Sequence, residues 1–145
     1  MTTRNRLIAA AFALVALGAL LAACSAQTTS ALVGKTWQLT LISERQPAFQ
    51  GVVPLDQQAN YTITFNADAT ANIRADCNNV SAGWKEGAGA SLTITPGVST
   101  MAACGPTSMG DRFVRDLGNT VSYGVSGTTL TLNLKDAGAL TFTGK

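Results

Sequence analysis

Polar and apolar residues alternate with period two along most of the chain after Leu32, a pattern that predicts strands rather than helices. In Thr36–Ile42, Trp37, Leu39 and Leu41 alternate with Thr36, Gln38 and Thr40. One face of such a strand is buried, and Trp37 is expected as a core anchor because large aromatics dominate small cores. Tyr61–Phe65 alternates again, Asn66-Ala67-Asp68-Ala69 turns the chain and Thr70–Ala75 returns, which predicts a β-hairpin. Asp76-Cys77-Asn78-Asn79 follows at the strand end, where Asn and Asp tolerate left-handed backbone. Gly83-Trp84-Lys85 and Ser91–Thr95 predict a second hairpin, joined through Glu86–Gly89 and ended by Pro96 and Gly97. Asn119–Val125, Thr129–Leu134 and Ala139–Thr143 predict a closing meander.

Two stretches break the alternation. Ser43–Ala59, with Pro47, Gly51 and Pro54, reads as one long polar loop, either a mobile insert or a binding lid. Met109–Leu117 is the one predicted helix. Met109, Phe113, Val114 and Leu117 share a face, Ser108 with Asp111 three residues on resembles a capping box, and Gly118 is a natural stop. Strands on both sides of a single helix predict an α+β domain, a mainly antiparallel, strongly curved or barrel-like sheet with one packed helix.

The segment before this domain reads as an address. Arg4 and Arg6 precede the apolar run Leu7–Ala23, and Cys24 follows at once. A basic start, a short apolar stretch and small residues before a cut site make a secretory signal, expected over residues 1–23. The run is short for a membrane span, which needs about 20 apolar residues. Leu21-Ala22-Ala23-Cys24 also matches the bacterial lipobox, so Cys24 is expected to carry the lipid, palmitate among its acyl chains. Residues 24–31 would then be a lipidated tether and 32–145 the folded domain. Two or more acyl chains suffice for stable anchoring. The expected location is the cell envelope outside the cytoplasm, at the outer membrane if the source has one, with the membrane engaged through Cys24.

Charge then removes several functions. The chain has a formal charge of +2, but without Arg4 and Arg6 its eight acidic side chains meet an equal number of basic ones. With no basic patch, nucleic acid is not an expected partner. The sequence contains no histidine, which removes Ser-His-Asp and Cys-His nucleophile activation and His-containing zinc sites. Ser81, Ser91 and Ser108 lie in no G-x-S-x-G context. Asp68, Asp76 and Asp111 form no D-x-D-x-D-G series and read as turn, strand-end and helix-start residues. No catalytic residue, cofactor site or metal site is therefore expected. With Cys24 lipidated, Cys77 and Cys104 are the pair left for an intramolecular disulfide, worth roughly 3–4 kcal/mol by loop closure. Two free thiols are the alternative.

Together these landmarks resemble the META domain family, whose bacterial members include the HslJ-like lipoproteins. Leu32-x-Gly34-x-x-Trp37-x-Leu39 resembles its opening motif. Phe65-Asn66-Ala67-Asp68 with Asp76-Cys77-Asn78 resembles its central hairpin and Gly-Cys-Asn signature. Thr100-Met101-Ala102-Ala103-Cys104 resembles its Thr-x-Met-Ala-Cys stretch, and Phe113–Leu117 its helix. The chain departs from that pattern at Ala75-Asp76, where a glycine usually precedes the cysteine, at Ala69, usually a glycine, and at Trp84, commonly a tyrosine. The resemblance implies a non-enzymatic, stress-related role in the envelope. Two readings follow: a module that binds an envelope protein or component, or a carrier holding a small apolar molecule inside the curved sheet.

Overall fold

The computed structural model describes residues 29–145. Residues 1–28, and with them the expected signal segment and the expected lipidation site Cys24, lie outside the described part. Nine strands form one antiparallel sheet: β1 (Thr36–Arg45), β2 (Ala48–Val52), β3 (Tyr61–Phe65), β4 (Thr70–Ala75), β5 (Asn78–Gly87), β6 (Ser91–Ser99), β7 (Thr120–Ser126), β8 (Thr129–Leu134) and β9 (Ala139–Gly144). Neighbours in the chain are neighbours in the sheet from β3 onward, and β9 pairs back onto β1 from Trp37↔Gly144 to Ser43↔Ala139. Eight strands thus close into a barrel, while β2 folds onto the far half of β1 outside the ring. Among the described residues one α-helix, α1 (Gly110–Gly118), bridges β6 and β7.

An eight-stranded barrel has an interior just wide enough for side chains to fill. Trp37, Leu39, Ile42, Phe65, Leu92, Leu130, Leu132 and Phe142 fill it, and Phe113 and Leu117 of α1 close one end. Each removes its side chain almost wholly from water, worth roughly 1.5–3 kcal/mol apiece. Leu32 plugs the opposite end, where its carbonyl accepts a 2.9 Å hydrogen bond from the Trp37 indole N–H. These buried side chains form one continuous hydrophobic core.

The hydrophobic pattern misplaces some boundaries, each for a local reason. A bulge at Thr40, between Leu39 and Leu41, shifts the register of β1 against β9. One extra residue flips all later side chains to the other face. Ile42 and Glu44 therefore point inward, and Leu41 is only half-buried.

The expected loop Ser43–Ala59 is instead the end of β1, a turn at Gln46-Pro47, and β2, followed by a short 3-10 turn at Gln58–Asn60. β2 lies outside the barrel and buries mainly Gly51, so it carries no alternating signature. β6 runs on through Pro96 and Gly97 to Ser99, because the missing proline N–H falls at a register shift in its pairing with β5. The helix starts one residue later than expected, with the Ser108 hydroxyl accepting from the Gly110 N–H at 3.1 Å.

Candidate functional site

The two ends of the barrel are built differently, and the end capped by α1 carries the candidate site. There the Asp76-Cys77 turn joins β4 to β5, the strap Thr100–Gly105 leaves β6, and the β1–β2 hairpin folds over. Cys77 and Cys104 are joined in a disulfide, with Cα atoms 5.7 Å apart across a sequence separation of 27. Asn78 does the second fastening. Its side-chain oxygen accepts from the Ala102 N–H at 2.7 Å and from the Thr100 hydroxyl at 3.0 Å, while its amide donates to the Ala102 carbonyl at 3.0 Å. The side chain thus imitates a neighbouring peptide group, satisfying donor and acceptor of Ala102 together. That accounts for an asparagine directly after Cys77.

α1 is fixed to the same end by close packing. A Cβ on Gly110 would lie 2.9 Å from the Ala75 carbonyl oxygen, so only glycine lets the first turn approach β4 this closely. The Tyr61 hydroxyl accepts the Met109 N–H at 3.2 Å, and its ring meets Phe113 edge-on at 6.1 Å. A groove of about 700 Å³ remains between the strap and the helix, with Met101, Ala102 and Ala103 on one wall and Gly110, Asp111 and Val114 on the other.

On the other side of α1 lies a polar knot that sequence reasoning missed. Glu44, turned inward by the bulge, is gripped by Arg112 and Arg115 from successive turns of the helix. Arg115 also donates to Asp116 Oδ1 through Nε at 3.2 Å and Nη2 at 3.1 Å. Arg112 stacks over the Phe49 ring at 3.8 Å, which ties β2 to the same cluster. Asp116 is 3% exposed, and its Oδ2 has no hydrogen-bond partner among the described residues. Burial, then the adjacent Glu44 carboxylate, push its pKa up to about 6, against the pull of Arg115. A proton on Asp116 would supply the missing donor toward Glu44, which reconciles the orphan oxygen with the raised pKa. A cleft of about 430 Å³ opens over this knot, reaching Lys135 and Asp136. The only sequence signal for it was Arg112 and Arg115 three residues apart, since Glu44 enters solely through the bulge.

The remaining candidates are scattered. Asp68 sits at the opposite end of the barrel, in the β3–β4 turn, where its carboxylate accepts from the Thr70 N–H and hydroxyl, bonds that lower its pKa. Asp76 occupies the β4–β5 turn with φ 60°, and Asp111 the first turn of α1. These three carboxylates form no shared site. Ser91 starts β6, Ser81 lies on the outer face of β5, and Ser108 stands one residue before the N-cap position, which Met109 occupies.

Residues 30–145 match the sequence profile of the META domain family. The chain belongs to that family. The META barrel is also similar to a protein from Burkholderia xenovorans solved by NMR, with a TM-score of 0.61 at 20% identity, covering 79% of this chain and 83% of that one. A DUF4847 family protein from Bacteroides vulgatus ATCC 8482, solved by crystallography, superimposes with a TM-score of 0.55 at 15% identity, covering 78% and 94%. At such identities the likeness concerns the fold alone. No curated protein sequence matches the chain.

Proposed function

We propose that the chain is a lipid-anchored, extracytoplasmic lipoprotein whose META barrel is a rigid, non-catalytic module that binds an envelope partner through its helix-capped end. The observation that carries this reading is the polarity of the barrel. The folded chain enters at the end opposite the strap, where Ser30 donates to Glu86, Val33 bridges to Phe65 and Leu32 plugs the core. A tether from a lipid on Cys24 to Leu32 would reach no further than about 29 Å even fully extended. That would hold the plugged end toward the bilayer and leave the strap, α1 and the β1–β2 hairpin facing away from it.

The chemistry of the exposed end supports binding over catalysis. Its carboxylates Glu44 and Asp116 are committed to Arg112 and Arg115, and the chain has no histidine to activate a nucleophile. The filled interior supports a surface-binding module over a carrier.

The test joins fatty-acid labelling with position-specific crosslinking in the source cells. Labelled palmitate should enter the native protein and not a Cys24→Ala variant. A photo-crosslinker at Met101 should capture a stoichiometric partner, and one at Thr128, on the plugged end, should capture lipid. Absence of label, or equal protein capture from both positions, would overturn the reading.

A further inference from the structure

The barrel is least closed between β6 and β7. These strands meet at a single register pair, Ser91↔Ser122, whereas every other neighbouring pair in the ring meets at three or more. Above that point α1 takes the place of a strand beside β6, with Gly118 packed near Pro96. Past Ser99 the chain runs on as the strap, still alongside β5: the Thr100 N–H donates to the Asn79 carbonyl at 3.0 Å, and Ala102 pairs with the Asn78 side chain.

Alternate residues of an extended chain turn their N–H and C=O groups to opposite sides. With Thr100 and Ala102 committed to β5, Met101 and Ala103 turn theirs toward the other side. Among the described residues, neither of their N–H groups donates to a protein acceptor. A row of unmade backbone bonds is a template for another strand. The ground beside it is suited to receive one. Ala102, Ala103 and Gly110 are small enough for a backbone to come close, and Val114 offers an apolar wall. Met101, at the rim of this groove, is 96% exposed. The disulfide and Asn78 already hold the strap in place, so little ordering entropy would be lost on pairing.

We propose that the open edge of Met101–Cys104 takes up an extended polypeptide segment of a partner protein as an added strand, with alternate small apolar side chains seated in the groove against Val114. Main-chain hydrogen bonds supply the affinity of such a complex and the alternate side-chain pockets its selectivity. The proposal rests on the binding-module reading and names the chemistry of its partner. A small molecule would leave the spaced backbone donors unmatched.

The test uses the full-length protein in detergent micelles and a displayed library of random dodecapeptides, counter-selected against Ala103→Pro. That variant removes one donor from the open edge, and mass spectrometry verifies that its Cys77–Cys104 bond is intact. Enriched peptides should alternate apolar and polar residues and bind Ala103→Pro at least tenfold more weakly. A second variant, Val114→Glu, should weaken binding without touching the strap backbone. N-methylating alternate peptide amides on one edge should abolish binding, and on the other edge should leave it unchanged.

Equal binding to both methylated forms, no enrichment, or full binding to Ala103→Pro would overturn the added strand. So would self-association in sedimentation velocity that Ala103→Pro abolishes, since a second copy would then hold the edge. Failure of Cys24 labelling sinks the anchoring without touching these peptide measurements, so the two failures are distinguishable.

Discussion

The plugged end and the helix-capped end of the barrel solve the same closure problem by different means. At the plugged end short turns suffice. Ala67-Asp68-Ala69 closes β3 onto β4, Leu32 fills the opening, and the Trp37 indole finds the Leu32 carbonyl. At the capped end the chain spends a disulfide, a side chain that imitates a peptide, a helix and a knot of four charged residues. The difference teaches that the capped end is held together by specific, individually removable bonds around open surface, and the plugged end by apolar packing. Segments that must present backbone or groove to a partner cannot bury themselves, and other bonds must hold them.

Removing the staple is the largest way to break this contrast. Cys77→Ser with Cys104→Ser frees a loop whose closure is worth roughly 3–4 kcal/mol. We expect the midpoint of denaturant unfolding to fall accordingly. Hydrogen exchange should rise first in Thr100–Gly105 and the start of α1, with β1, β8 and β9 still protected. Uniform loss of protection around the barrel would show that the two ends are one cooperative unit.

The charged knot gives a smaller effect with a distinctive pH dependence. Asp116 has its folded pKa raised to about 6 from an ordinary 3.8, so the folded state binds the proton more tightly. Its stabilising contribution is full below about pH 4 and is lost as pH rises through about 6. Asp116→Asn keeps a hydrogen-bonding group without the charge. It should raise the melting temperature at pH 7.5, change it little at pH 4, and flatten the slope between. An unchanged slope would mean that Asp116 is not the titrating group.

The two ends were also unequally legible in the sequence. Thr70–Ala75 and Thr129–Leu134 follow from alternation to the residue, because each buries one clean face in the barrel. The Cys77–Cys104 pairing followed from the small number of cysteines, and the META motifs from the order of Trp37, Cys77 and Cys104. The knot did not follow. Glu44 reads as a loop residue unless Thr40 is known to bulge, and a bulge leaves no mark in a two-state polar pattern. β2 escaped for a related reason, since a strand outside the ring needs no apolar face. At the strap the partner across from Ala102 is the Asn78 side chain, and no periodicity records that.

The smallest effect separates the turns at the two ends. Ala69 and Asp76 both hold a left-handed backbone, at φ 65° and 60°. For an L-residue that conformation costs roughly 1–2 kcal/mol, less for Asp, whose short polar side chain bonds to nearby backbone. Ala69 has no such compensation, and its backbone is locked by the Trp84 N–H donating to its carbonyl at 2.9 Å. Glycine at this position gives back part of the gain by loosening the unfolded chain. Ala69→Gly should therefore stabilise by about 0.5–1 kcal/mol, a rise of about 3 °C in melting temperature. Asp76→Gly should move it less, because the strap, the disulfide and Asn78 already hold that turn. A larger gain at Asp76 than at Ala69 would place the strain at the helix-capped end and reverse the assignment of which turn carries the uncompensated backbone.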